Sequence, residues 1–97
     1  MNYDVDYFIT KFEAIPEELW MIEYFEEVQK DGRITRCALG HCGASDANYS
    51  EEAKTLNLLL NYLVAGINDG ANDRYQQPTP KQRILAALRD VKAGTFK

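Results

Sequence analysis

Apolar residues recur at three- and four-residue steps in three stretches of the chain, and each stretch predicts an amphipathic helix. The first stretch covers residues 2–14 and ends before Pro16, because the residue before a proline is driven out of the helical region. The second covers residues 51–67 and carries the longest apolar stripe. Ser50 precedes it as a candidate N-cap, and Gly70 follows it as a residue suited to the left-handed capping conformation.

The third stretch begins at the clearest helix boundary in the sequence. Thr79, Pro80 and Gln82 match a capping box, in which threonine caps the helix, proline takes the first position and glutamine the third. The inward-facing positions of this helix are Ile84, Leu85, Leu88 and Val91. Gly94 is predicted to end it.

Residues 19–36 fit a strand nearly as well as a helix, since they are rich in aromatic and β-branched side chains. The Asp31-Gly32 pair lies between two such runs and is the usual signal of a hairpin turn. We therefore predict a short hairpin of residues 21–28 against residues 33–36.

A short helix is expected to follow the hairpin, from Cys37 to about Gly43. The predicted fold class is mainly α: a single small domain over residues 1–97, of three or four helices, with a short β-hairpin before the Cys37 helix. In this arrangement the central helix, residues 51–67, packs against the first and last helices.

Composition and charge narrow the classes of function. The 97 residues are 45% hydrophobic and 27% charged, which is typical of one globular domain. The net charge of −4 opposes sequence-independent nucleic-acid binding, which requires a basic face. The start of the chain lacks the pattern of a signal peptide, and no apolar stretch is long enough to span a bilayer. We therefore predict a cytoplasmic protein that binds neither a nucleic-acid polymer nor a membrane and keeps its cysteines reduced.

Both cysteines and the only histidine lie in residues 33–43. Cys37 and His41 are four positions apart on the predicted helix and share a face, as a thiol nucleophile and its base require. Asp69 or Asn68, at the end of the central helix, could orient the imidazole. In the alternative interpretation Cys37 is a small buried residue and His41 a satisfied core or surface histidine. Spacing alone therefore assigns no catalytic residue.

Cys37, His41 and Cys42 also supply three potential zinc ligands, with Asp46 or Asp69 as a candidate fourth. Cys42 follows His41 directly, about 100° round a helix, so the three side chains cannot converge while the helix stays regular. The paired spacings of a structural zinc site are absent from the sequence. We predict neither a metal nor any other cofactor.

The glycines of this region favour either a close helix crossing or a ligand pocket. Gly40 and Gly43 leave one flank of the Cys37 helix nearly bare, and Gly66 lies inside the predicted central helix. In the ligand alternative, Trp20 and Tyr24 roof a pocket that has a few polar groups at its edge. The predicted ligand-binding residues are Trp20, Arg36, Cys37, Gly40, His41, Asn68, Asp69 and Arg83.

Several segments carry a recognisable order of residues: 12–18, Trp20, 36–43, 67–70 and 78–84. Their most specific parts are the Cys-Ala-Leu-Gly sequence that starts at Cys37 and the Asn-Asp pair that starts at Asn68. With Trp20 before them, these parts resemble a family of small uncharacterised bacterial and phage proteins. The family brings no established activity. Its phage distribution implies an accessory factor that blunts host defence by sequestering a nucleotide-like small molecule or by blocking a host protein.

Three functions are left open by the sequence. The leading prediction is a non-enzymatic phage-type accessory binding protein in the host cell cytoplasm, with a small nucleotide-like ligand or a host protein as its partner. The second is a thiol-dependent hydrolase or transferase that uses Cys37 and His41. The third is a structural protein-protein interaction module, and each of the three is compatible with a homo-oligomer.

Overall fold

Helices dominate the fold, which is known from a computed structural model that describes residues 3–96. In this range the elements, in chain order, are α1 (Val5–Glu13), a 3-10 helix (Glu17–Leu19), β1 (Glu26–Val28), β2 (Ile34–Arg36), α2 (Ala38–His41), α3 (Glu51–Leu59), α4 (Val64–Asp69) and α5 (Pro80–Ala93). The predicted mainly helical fold with a hairpin before the Cys37 helix is confirmed. Within the described range, no helix has both the length and the apolar character that crossing a membrane would require.

Side chains at the helix starts satisfy backbone N–H groups that have no partner within the helix. The predicted caps are confirmed: Ser50 Oγ accepts the N–H of Ala53 at 3.1 Å, and Thr79 Oγ1 accepts the N–H of Gln82 at 3.1 Å. Asp4 caps α1 in the same way. The predicted start of that helix, at residue 2, lies outside the described residues.

The hairpin is shorter than predicted. Its ladder runs from the pair Glu26–Arg36 to the pair Val28–Ile34, so β1 begins at residue 26 instead of residue 21. The cause is a three-residue turn just before the strand, closed by the Tyr24 N–H, which donates to Ile22 O at 2.9 Å. A backbone folded this tightly cannot pair as a strand.

The prediction of one continuous central helix over residues 51–67 is wrong. The chain leaves α3 after Leu59 and enters α4 at Val64, because Asn61 and Tyr62 adopt left-handed conformations with φ of 52° and 62°. An α-helix cannot continue through residues with positive φ. The predicted end of this segment is confirmed, since Gly70 caps α4 with a φ of 83°.

Helix α5 takes the central position that was predicted for residues 51–67. It packs against both α1 and α4, and its inner face buries Ile84, Leu85, Ala87 and Leu88. On α1 the matching buried residues are Phe8 and Phe12. Two exposed ion pairs join the same helices, Arg89–Glu13 at 3.0 Å and Lys92–Asp6 at 2.7 Å. These pairs contribute little, because solvent screens exposed charges.

The short helix α2 lies against the segment that precedes β1. A Cβ atom added at Gly40 would lie 1.9 Å from Phe25 O, so only glycine allows this approach. A Cβ added at Gly66 would have no neighbour within 4 Å. Helix α2 does pack against α4, as predicted, but Gly66 takes no part in a close approach, and the contact that requires a glycine is that of Gly40 with the Phe25 backbone.

Candidate functional site

An open cleft of about 350 Å³ lies between the segment before β1, the loop after α2 and helix α4. Apolar and aromatic side chains form much of its wall, including Phe25, Leu39, Tyr49 and Val64. Four carboxylates also line it: Glu23, Glu26, Asp46 and Asp69. No lysine, arginine or histidine of the described residues does so. We call this space the acidic cleft.

The aromatic wall of the acidic cleft is built by contacts between distant segments. The Phe25 ring meets the Tyr49 ring edge-on, with the two centroids 5.6 Å apart and the planes at 89°. Such a T-shaped arrangement is a favoured geometry for two aromatic rings. Tyr24, next to this pair, is 63% exposed. The wall of the cleft therefore includes two half-buried rings, those of Phe25 and Tyr49, and the exposed ring of Tyr24.

A tight turn places the first of the carboxylates. Glu23 has a φ of 76°, and the hydrogen bond from Tyr24 N–H to Ile22 O encloses it in a three-residue turn of the rare and strained γ type. The Glu23 N–H donates to Asp69 Oδ1 at 3.1 Å. This bond fixes the turn to the end of α4, so the acidic side chains of residues 23 and 69 lie on the same cleft.

Among residues 3–96, a neighbouring side chain neutralises only one of the four carboxylates. Arg36 Nε donates to Glu26 Oε1 at 2.9 Å on the exposed face of the hairpin. Within the described residues, Glu23, Asp46 and Asp69 form no ion pair. The cleft therefore presents unpaired negative charge next to aromatic surface.

The structure brings only three of the eight predicted ligand-binding residues to the cleft: Cys37, Asn68 and Asp69. The other five do not line it: Trp20, Arg36, Gly40, His41 and Arg83. Each of these five has a contact elsewhere in the fold that accounts for it. Arg36 forms an ion pair with Glu26, and Gly40 allows the close approach of the Phe25 backbone.

Asn68 is a structural connector as well as a cleft residue. Its side chain is 1% exposed. Its Oδ1 accepts the N–H of Ala38 at 3.0 Å, and its Nδ2 donates to Met21 O at 2.9 Å and to Asp69 Oδ1 at 3.0 Å. One amide thus joins the start of α2, the segment before β1 and the end of α4. Its polar atoms are already used within the protein.

Arg83 caps the end of α4 from the neighbouring helix α5. The residue is 8% exposed, and its guanidinium donates to Asn68 O at 2.7 Å and to Ile67 O at 3.2 Å. A third bond goes to Gln77 O at 2.9 Å. A cation at the carboxyl end of a helix satisfies free carbonyls and complements the helix dipole. Arg83 therefore has this role in the fold, and phosphate binding would require breaking these bonds.

Trp20 belongs to the core, and the half-buried His41 packs against it away from the cleft. Trp20 is 7% exposed, and its ring centroid lies 5.2 Å from that of Phe12 and 4.9 Å from that of His41. His41 Nε2 lies 3.0 Å from Leu19 O and must donate the hydrogen, since a carbonyl can only accept. Burial lowers the pKa of His41 to about 4. The imidazole is therefore neutral at pH 7.

Cys37 caps the short helix α2, and its Sγ accepts the N–H of Gly40 at 3.5 Å. Burial raises the pKa of the Cys37 thiol, and the nearby Asp69 charge raises it further. The thiol therefore stays protonated, whereas a nucleophile requires the thiolate. His41 Nε2 is bound to Leu19 O, and His41 does not line the cleft that Cys37 lines.

Cys42 is buried, and burial also raises the pKa of its thiol. Both cysteines are free. Within residues 3–96, no three side chains of histidine, cysteine, aspartate or glutamate are grouped so that they could hold a metal ion. Cys37, His41 and Cys42 therefore do not converge as ligands in the described fold.

Comparison with protein-family models, with curated protein sequences and with solved structures gave no match. The interpretation of the cleft therefore rests on its geometry and charge.

The sequence predicted no binding role for most of the cleft residues, among them Glu23, Phe25, Glu26, Ser45 and Tyr49. The predicted hairpin placed residues 23, 25 and 26 in a regular strand. The other two residues lie in the loop after α2, about twenty positions further along the sequence. One local signal was present, since residues 23–27 combine two adjacent aromatic residues with three acidic ones, a composition that is unusual for a buried strand.

Proposed function

We propose that this chain is a non-enzymatic binding protein whose acidic cleft takes a cationic group of the alkylammonium or guanidinium class. The observation that carries the proposal is a concave space lined by aromatic rings and four carboxylates, with no cationic side chain of the described residues. Carboxylates attract a cation by Coulomb forces, and the faces of aromatic rings attract it through their quadrupole. The remaining apolar wall gives an alkyl chain a surface to pack against.

The same charges oppose a nucleotide-like ligand, which stays a prediction from the family resemblance. A phosphate in the cleft would approach three unpaired carboxylates without a compensating cation. Arg36 is bound to Glu26, and Arg83 is occupied by carbonyls at the end of α4. The thiol-dependent enzyme is also not proposed, because burial keeps Cys37 protonated and His41 is bound elsewhere.

The family resemblance supplies a biological context for the proposal. A phage accessory factor that engages a host component could do so by capturing a polyamine or by binding a basic side chain of a host protein. Both ligands belong to the chemical class that the cleft favours. The cation-binding chemistry can be tested without knowing which of them is the natural ligand.

The test is isothermal titration calorimetry with agmatine, which carries both an ammonium and a guanidinium group. For a ligand of this size we expect a dissociation constant of about 1 mM in dilute buffer. Asp46→Asn should weaken binding about two- to fivefold, since it removes one exposed charge from the cleft. Asp73→Asn is the matched control, because Asp73 is exposed and lies outside the cleft. It should change binding by less than about twofold.

Two results would contradict the proposal. The first is that agmatine gives no binding heat up to concentrations of about 20 mM, well above the expected dissociation constant. The second is that adenosine monophosphate binds more tightly than agmatine, which would show that the ligand class is anionic.

A further inference from the structure

A second groove adjoins the acidic cleft along the outer face of α3 and has a volume of about 450 Å³. Its lining residues include Tyr49, Glu51, Lys54, Thr55, Leu58 and Tyr62. Tyr49 lines both spaces, so the two are neighbours on the surface. We call this second space the α3 groove.

The α3 groove differs from the acidic cleft in chemistry. Leu58 is 64% exposed and Tyr62 68% exposed, so two large apolar side chains face solvent. Lys54 and Glu51 form an ion pair at 3.6 Å, which leaves this groove close to neutral. Tyr62 has a left-handed backbone conformation, and its N–H donates a hydrogen bond to Asn57 O at 2.7 Å. The break between α3 and α4 therefore creates an exposed apolar surface next to a negatively charged one.

We propose that the acidic cleft and the α3 groove together bind one extended peptide segment of a partner protein. The segment carries a lysine or arginine side chain for the acidic cleft and a large apolar side chain for the surface of Leu58 and Tyr62. The inference rests on the proposed function, since the cleft supplies the site for the cation. Charge complementarity selects a basic segment, and the apolar side chain buries surface that is otherwise exposed.

The length that the α3 groove adds to the binding surface favours a peptide over a small amine. Leu58 lies two helical turns beyond Glu51, which corresponds to about 10 Å at the rise of an α-helix. An extended chain covers that length with about three residues. A free polyamine could reach along the groove, but its charged groups would gain nothing from the apolar side chains there.

The test uses fluorescent peptides in a glycine-serine background. Each carries one arginine and one leucine, in either order and at every separation from adjacent to about six residues apart. Reference peptides carry only the arginine or only the leucine. At the best separation, the double peptide should bind about tenfold more tightly than the arginine peptide, because one apolar side chain becomes buried. Fluorescence anisotropy measures the affinities.

Three variants locate the apolar contact. Leu58→Gln keeps a good helix former on α3, and Tyr62→Asn places a residue that tolerates the left-handed conformation. Each should remove most of the tenfold gain and leave agmatine affinity unchanged. Val28→Thr is the matched control, since Val28 is 65% exposed on the hairpin and lines neither space. It should retain the full gain.

The outcomes separate this inference from the proposed function. The inference alone is overturned if agmatine and the arginine peptide bind but the leucine adds nothing, or if the gain survives in both Leu58→Gln and Tyr62→Asn. It is also overturned if sedimentation shows a dimer that Tyr62→Asn dissociates, because the groove is then covered by a second copy. Absence of binding by both agmatine and the arginine peptide overturns the proposed function itself.

Discussion

Asn68 shows how one buried side chain can hold a binding cleft together. Its amide joins three segments through bonds to Ala38, Met21 and Asp69. Two of these segments carry carboxylates of the cleft. The relative position of Glu23 and Asp69 therefore depends on a residue whose polar atoms bind protein groups rather than ligand.

Asn68→Ala should lower the free energy of unfolding by about 2–3 kcal/mol, because it leaves the Ala38 N–H without its acceptor in a buried position. Urea unfolding followed by circular dichroism measures the change. Asn48→Ala is the control, since the Asn48 side chain is exposed and its hydrogen bonds are made by the backbone and not by the side chain. A loss below about 0.5 kcal/mol for Asn68→Ala would show that the amide does not carry this role.

His41 should make stability depend on pH. Its pKa is about 4 in the folded protein, below the ordinary value of 6.5. Between these values the unfolded chain binds a proton that the folded protein does not, so stability falls as pH falls from about 6.5 towards 4. We expect a loss on the order of 1 kcal/mol between pH 7 and pH 5, less than the full shift implies because the ring is partly exposed.

Unfolding of wild type and of His41→Gln at pH 7 and pH 5 checks this expectation. The glutamine amide can still donate to Leu19 O but does not titrate. The pH-dependent loss should be clearly smaller in the variant. Equal losses in both proteins would assign the effect to other groups.

At the scale of elements, the packing of α2 on the Phe25 segment depends on one glycine. Gly40 and Gly66 are both helical glycines, but only an atom added at Gly40 would collide with another part of the chain. The pair therefore separates the effect of close packing from the intrinsic effect of glycine in a helix.

Gly40→Ala should lower the free energy of unfolding by about 3 kcal/mol or more, since the Phe25 carbonyl must move away. Gly66→Ala should instead stabilise the protein by roughly 0.5–1 kcal/mol, because alanine is the better helix former and meets no neighbour. Thermal and urea unfolding of both variants test the contrast. Similar changes in the two variants would contradict the packing described for α2.

The boundaries of the helices show which features of the fold sequence patterns could predict. The caps at Ser50 and Thr79 and the glycine stops at Gly70 and Gly94 follow from local backbone chemistry, and all are present. The break after α3 was not predicted, because the apolar stripe continues through it and no proline marks it. The turn at Glu23 depends on a carboxylate 46 positions away, which no local pattern reveals.

Charge is distributed unevenly over the molecule, with unpaired negative charge at the cleft. This distribution is the reason for proposing a cationic ligand. Basic side chains of α5 form ion pairs with acids of α1, as in Arg89–Glu13 and Lys92–Asp6. Arg83 instead caps the end of α4. The unpaired carboxylates of Glu23, Asp46 and Asp69 meet at the cleft. The net charge of −4 indicates an acidic protein but does not show where the negative charge is clustered. Tertiary contacts create the cluster at the cleft.

Salt should weaken ligand binding if this charge distribution governs it. Raising the ionic strength from about 0.02 M to about 0.3 M shortens the Debye length to about 6 Å and screens the open cleft. We expect the dissociation constant for agmatine to rise at least about threefold, measured by calorimetry. Binding that is independent of salt would assign recognition to apolar packing instead.

A two-dimensional ¹H–¹⁵N NMR titration of the full chain with agmatine tests directly whether the acidic cleft binds a cation. The proposed cation site predicts concentration-dependent shifts of the amides of residues 23–26, 45–49 and 68–69, with little change on the outer face of α5. Those shifts should shrink in the double variant Glu23→Gln and Asp46→Asn. Shifts confined to another surface, or none at agmatine concentrations well above the expected value of about 1 mM, would contradict the assignment of the acidic cleft as a cation-binding site.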